Sequence, residues 1–207
     1  MKIIKDFGMM EAKTSNVPIN MSYGKGNSEL LMDNENYRKL VGCLLYIAVN
    51  TRPDISASVT ILAQKVTKPT QEDWNELKRI LRYLKGTADL SLMLGGINGK
   101  TGLIGYADAN WAEDIALHQR KSTTGYVFKY FDSIISWCSK RQTCVAKSSM
   151  EAEYIALSEA SSEALWIRRL LRDFKQPEKG PNYDLRGQSE LLEIDQRREV
   201  VKSFKAH

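Results

Sequence analysis

Two changes of hydrophobic period divide this sequence of 207 residues. From Tyr37 to Leu84 apolar side chains recur every three or four residues, the spacing of a helical face. From Leu90 to Ala146 they largely alternate, and from Ser148 to Phe174 the helical spacing returns. Such an order predicts helices, then a sheet of short strands, then a helix that covers the sheet. The expected fold class is α+β or α/β, a helical N-terminal region followed by a meander of short strands with a packed helix.

The helical part resolves into three segments. Tyr37, Leu40, Val41, Leu44, Leu45 and Ala48 share one face of a helix ending near Asn50. Thr51-Arg52-Pro53-Asp54-Ile55 is a corner, because the residue before a proline resists the α conformation and proline suits a first helical turn. A second helix carries Ile55, Val59, Leu62, Ala63 and Val66 and stops before Pro69. The third, from about Gln71 to Lys85, buries Trp74, Leu77, Leu81 and Leu84, with Gly86 as its expected C-cap. Lys78, Arg79, Arg82 and Lys85 give that helix a basic side, which reads first as a solvated face and second as a phosphate-contacting surface. Upstream, an apolar patch around Phe7 precedes a Ser/Asn/Gly-rich loop or linker from Thr14 to Ser28.

Leu90–Leu94, Leu103–Ala109, Gly125–Tyr130, Ile134–Cys138 and Thr143–Ala146 are the expected strands, with Gly95-Gly96 as a turn. After Lys175, Pro177, Gly180 and Pro181 break the pattern and a charged tail follows. The expected divisions are 1–88, 89–174 and 175–207.

The charge balance is mildly basic, +5 with two histidines taken as neutral, which favours a polyanionic partner weakly. Cys43, Cys138 and Cys144 form no C-x-x-C pair, so a disulfide framework or structural zinc is not expected and an intracellular setting is. Charged residues interrupt the N-terminal apolar stretch, which excludes a signal-peptide pattern, and no run has the length to span a membrane.

Two acids stand out. Asp108 ends an apolar strand pattern, on the face of Ile104 and Tyr106. With roughly 100° per helical residue, Ala156, Leu157, Ala160, Ala164, Ile167, Leu171 and Phe174 lie within about 60° of Glu153. Glu153 therefore points with the buried stripe, and a helix covering the face of Asp108 would bring the two acids together. Glu151 points elsewhere and reads as the far end of a capping box begun by Ser148. A core-facing carboxylate is costly unless paired, hydrogen-bonded or bound to metal. Two acids sharing a site repel, and Mg²⁺ relieves that. The alternative is a separate partner for each, such as Lys121 or Arg120 for Asp108.

The sequence carries a resemblance beyond periodicity. Tyr37 to Tyr46, Thr51 to Ile55 and Arg82-Tyr83-Leu84-Lys85-Gly86-Thr87 resemble the C-terminal part of a copia-type retrotransposon reverse transcriptase. Tyr106-Ala107-Asp108-Ala109-Asn110-Trp111-Ala112, Ser122 to Tyr126, Ser136 to Lys140, Ser148 to Tyr154 and Ala164-Leu165-Trp166 resemble the adjoining ribonuclease H domain. The resemblance implies a ribonuclease H-like mixed sheet with Asp108 on its first strand, Glu153 on its first helix, and Mg²⁺-dependent hydrolysis of RNA in an RNA–DNA hybrid. It implies a third acid near Asp184 and a fourth near the end of the domain. Asp184 lacks the preceding apolar strand, the fourth acid has no counterpart, and Asp195 lies in an unrelated context, so the domain reads as truncated. Ser122, Thr123 and Lys140 become candidate nucleic-acid contacts, and the rest of a reverse transcriptase a possible partner. No polymerase site is present, since Tyr106-Ala107-Asp108-Ala109 lacks a second aspartate. Three functions compete: a Pol fragment with weak or no catalysis, an active ribonuclease H, and a repurposed nucleic-acid- or protein-binding module.

Overall fold

The computed structural model describes residues 2–24, 28–95, 102–110, 121–131, 133–176, 184–186 and 191–193. Trp111, Arg120 and Asp195, named above, lie outside these residues, as do Gly96 and the chain breaks at 177–181. The chain divides into two compact units, Met1–Leu92 and Met93–His207.

The first unit is helical: α1 (Lys2–Asp6), α2 (Glu35–Asn50), a 3-10 turn (Pro53–Ile55), α3 (Ser56–Ala63) and α4 (Gln71–Gly86). Its core joins Tyr37, Leu40 and Leu44 of α2 to Ile55, Leu62, Leu77, Ile80 and Leu81, all buried. Tyr37 is buried whole because its hydroxyl donates to the Leu62 carbonyl at 2.8 Å.

Helix α4 starts with a complete capping box. The Thr70 hydroxyl accepts from the Asp73 N–H, and Asp73 accepts from the Thr70 N–H at 2.7 Å. Gly86 is not the C-cap, which is Thr87. A Cβ at Gly86 would lie 3.1 Å from the Cβ of Thr14, so the glycine serves close approach rather than a left-handed turn.

The segment expected as a linker is anchored to α4. The Ser15 N–H donates to the Arg82 carbonyl, the Asn20 N–H to Glu76 at 2.9 Å, and the Tyr23 hydroxyl to Asp73. A polar loop lies still when its backbone donors find buried acceptors, and periodicity carries no trace of that.

The basic side of α4 is largely engaged within the chain. Arg79 pairs with Glu76 at 3.1 Å, Lys78 lies over the Trp74 ring, and Lys85 donates to the carbonyls of Met10 and Ala12. It is thus not a plainly solvated face.

Arg52 forks onto Asp54 at 2.9 and 2.7 Å and reaches the Thr87 carbonyl and hydroxyl at 3.1 and 2.7 Å. Tyr83 donates to Asp54 at 2.9 Å. The Arg52-Pro53-Asp54 corner and the Tyr83–Thr87 segment thus hold each other in place.

The second unit is a sheet with one long helix, an α+β arrangement: β1 (Leu103–Asn110), β2 (Thr123–Tyr130), β3 (Ser133–Arg141), α5 (Ser149–Asp173), β4 (Asp184–Arg186) and β5 (Leu191–Glu193). The strand order is β3-β2-β1-β4-β5. β1, β2 and β3 are antiparallel neighbours, and β4 runs parallel to β1 with Gly105 opposite Leu185. A strand therefore does follow α5 beside β1, where the sequence shows too short an apolar run to announce one.

Leu90–Leu94 is not a strand: Leu90, Met93 and Leu94 are exposed, and alternation marks a strand only where one of its two rows is buried. Thr143–Ala146 also stays irregular and leads into the Ser148 N-cap.

Helix α5 covers the sheet through Ala152, Ala156, Ala160, Ala164 and Ile167, small side chains that let it lie close to Leu103, Ala107 and Phe128. Phe174, expected on that stripe, is 67% exposed beyond the end of the helix. Among the described residues no helix is long and apolar enough to cross a membrane.

Candidate functional site

The burial of β1 alternates. Leu103, Gly105 and Ala107 lie under α5, whereas Tyr106 and Asp108 are exposed. The expectation that the covering helix would pack on the face of Ile104, Tyr106 and Asp108 is therefore corrected: it packs on the opposite face, because that row is apolar or small throughout.

Asp108 and Glu153 nevertheless lie near enough for the charge of one to act on the other. Burial raises the Glu153 carboxyl above its ordinary range, the neighbouring Asp108 charge raises it further, and the Ala109 N–H, which donates to it, opposes both. Glu153 sits in the first turns of α5, whose start is set by the Ser148 hydroxyl accepting from the Glu151 N–H at 3.1 Å. Glu151 accepts from the Lys147 N–H at 2.6 Å, one residue before the donor a capping box would use.

Asp184 opens β4. Leu185 faces Gly105, so the backbone of Asp184 lies about four residues, roughly 13 Å, along the strand direction from Asp108. The structure does not bring its backbone beside the other two acids. Among the described residues no cluster of three His, Cys, Asp or Glu side chains is arranged to hold a metal ion.

The candidate nucleic-acid contacts fare differently. Ser122 is buried, 1% exposed. Thr123 opens β2 opposite Asn110 and Arg141 and is half-buried. Lys140 is exposed and pairs with Glu159 of α5 at 3.1 Å. That pair belongs to a polar seam between sheet and helix, where the Ser136 hydroxyl donates to Glu163 at 2.7 Å. Burial raises the Tyr126 hydroxyl in this seam, and burial raises the Cys138 thiol.

Gln142 carries no signal in the sequence, being one polar residue after a strand of mixed character. It is 1% exposed. Its Nε2 donates to the Thr124 hydroxyl at 3.1 Å and to the Ala152 carbonyl at 2.9 Å, and its N–H donates to the Ser122 carbonyl at 2.8 Å.

No family model matches the chain, and no solved structure matches it significantly. Curated relatives do. The chain is 46% identical over 136 residues to secreted RxLR effector protein 161 of Plasmopara viticola, covering 66% of this chain and 94% of that one. It is 38% identical over 180 residues to the retrovirus-related Pol polyprotein from transposon TNT 1-94 of Nicotiana tabacum, covering 83% of this chain and 13% of the polyprotein. It is 37% identical over 166 residues to the uncharacterized mitochondrial protein AtMg00810 of Arabidopsis thaliana, covering 80% of this chain and 68% of that protein. The chain thus spans a small part of the Pol polyprotein it matches and most of the two shorter relatives. The motifs between Tyr37 and Trp166 and these relatives agree: the chain belongs to the copia-type retrotransposon Pol family, of which it is a transposon-derived segment.

Proposed function

We propose that the second unit is a ribonuclease H-like domain that binds RNA–DNA hybrid and hydrolyses it weakly or not at all. The observation that carries this reading is the closeness of Asp108 to Glu153, two of the four acids that the family resemblance implies. The strand order, with β4 parallel to β1 and α5 between β3 and β4 in the chain, supports the fold assignment.

Two adjoining carboxylates fit one Mg²⁺ ion, which commonly takes one or two protein carboxylates and keeps water or phosphate oxygens at its other positions. Asp108 and Glu153 would hold it, and when bound the ion supplies positive charge against the scissile phosphate and lowers the pKa of a water. What the chain itself contributes is orientation and electrostatic demand. The Ala109 N–H fixes Glu153, and a Glu153 that resists ionisation beside Asp108 is a pair that a cation relieves. A second ion would need further acid ligands. Thr123 and Lys140 are the surface positions proposed to meet the nucleic-acid backbone, Lys140 by exchanging Glu159 for a phosphate.

The test is hybrid binding by fluorescence anisotropy across a salt series, with cleavage followed in Mg²⁺ and in Mn²⁺. Binding that weakens steeply with salt is expected, because phosphate contacts release counterions. Any trace cleavage should vanish in Asp108→Asn and in Glu153→Gln. No binding at low salt overturns the nucleic-acid reading. Multiple-turnover cleavage abolished by both substitutions overturns the weak-catalysis reading and establishes an active ribonuclease.

A further inference from the structure

We propose that Gln142 is the positioning residue of the acid pair, tying the strand beside Asp108 to the helical turn that carries Glu153. The inference rests on the reading of Asp108 and Glu153 as one site, and it concerns what sets their separation.

Gln142 follows the last residue of β3 and is almost fully buried. Glutamine is seldom buried in this way, because its amide must find partners that replace water. Here the partners lie on α5, which carries Glu153, and on β2, the strand paired with the one that carries Asp108. Thr124, which receives one amide proton at 3.1 Å, is the register partner of Ala109, the residue after Asp108. Ala152, whose carbonyl receives the other at 2.9 Å, immediately precedes Glu153. The backbone N–H of Gln142 holds the Ser122 carbonyl at 2.8 Å, which ties the bridge to the segment entering β2.

A carbonyl can only accept, so the Ala152 contact fixes which way round the amide sits. One planar NH₂ group with two donors in fixed geometry therefore sets the gap between β2 and the first turns of α5. Farther along, the helix is held by Ala160, Ala164 and Ile167 packed on the sheet and by the Lys140–Glu159 and Ser136–Glu163 contacts. An apolar side chain at 142 would fill the space and make neither bond.

The experiment uses the full chain and two readouts that need no cleavage: hydrogen exchange of the Ala109 amide, which donates to Glu153, and Mn²⁺ affinity by water-proton relaxation. Gln142→Met keeps the length of the side chain and removes the amide. Thr124→Val keeps the shape and removes one acceptor. Ser136→Ala breaks a sheet-to-helix bond farther along the same seam and serves as the control.

Gln142→Met is expected to lose protection at Ala109 by about tenfold while the Phe128 amide is unchanged. Mn²⁺ affinity should fall by a similar factor. Thr124→Val should move both readouts less and in the same direction, and Ser136→Ala neither. A folded Gln142→Met protein with unchanged Ala109 exchange and Mn²⁺ affinity overturns the proposal, and so does an equal change in Ser136→Ala. If Gln142→Met does not fold, Thr124→Val decides by the same two criteria. Absence of hybrid binding or of Mn²⁺ binding in the wild type would fail the functional reading, while Ala109 exchange would still decide the role of Gln142.

Discussion

Asp108 stands on the exposed face of β1 and Glu153 on a helix packed against the opposite face, yet each carboxyl lies within reach of the other's charge. Asp108 is exposed, whereas Glu153 is half-buried. The pH dependence follows from that asymmetry.

Burial first, and Asp108 second, raise Glu153 above its ordinary 4.5. A carboxyl that is harder to ionise in the folded chain than in the unfolded one contributes stability that is complete below pH 4.5 and is lost as pH rises through the raised value. Glu153→Gln, which stays neutral, should therefore melt at a higher temperature than wild type at neutral pH and at about the same temperature in acid. Thermal unfolding followed by circular dichroism at the two pH values checks this. Equal melting temperatures at neutral pH would show that the acids do not interact.

Asp54 behaves in the opposite sense. Burial pushes its carboxyl up, but hydrogen bonds from Arg52 and Tyr83 outweigh burial and hold it below its ordinary 3.8. Its contribution is present above pH 3.8 and is lost as pH falls through the depressed value. Asp54→Asn should cost roughly 1 kcal/mol at neutral pH, a figure discounted for the partial exposure of the pair, and progressively less in acid. Urea denaturation of the full chain at several pH values measures the difference.

Tyr23→Phe removes the donor that pins the 14–24 loop to Asp73. Burial and the Asp73 hydrogen bond raise the tyrosine hydroxyl, so it stays a neutral donor throughout the ordinary pH range. Loss of a hydrogen bond to a carboxylate in this setting should cost about 1.5–3 kcal/mol. Limited proteolysis should then cut the loop faster than in wild type. Unchanged cleavage there would mean that the Ser15 and Asn20 contacts hold the loop without Tyr23.

Ala160→Leu tests how closely α5 must lie on the sheet. Ala160 is fully buried against the strands, and added methyl groups there should cost about 1–3 kcal/mol through overpacking. Lifting the helix would also part Glu153 from Asp108, so hybrid binding or Mn²⁺ affinity should fall with stability. A stable variant with full affinity would show that the helix tolerates displacement.

Hydrophobic period was enough to locate α2, α4, β1 and α5, because each buries a continuous row of side chains whose spacing survives in the sequence. The Ser148 cap and the inward side of Glu153 were legible for the same reason, as local geometry on a helix. Three other features depended on partners distant in the chain. Leu90–Leu94 has the alternation of a strand but leaves Leu90, Met93 and Leu94 exposed and forms none, whereas Asp184–Arg186 has almost no pattern and becomes a strand by lying along β1. The row of β1 that α5 covers was decided by which face was apolar or small along its whole length, and that row is not the one containing Asp108. The bridging role of Gln142 exists only once Thr124 and Ala152 stand on either side of it, since a lone amide in a sequence says nothing of what will surround it. What the amino-acid order determined by itself was α2, α4, β1 and α5 and the positions of the two acids along them. Tertiary packing decided where those acids meet, because a contact between a strand and a helix depends on register and covered face, which are properties of pairs of segments.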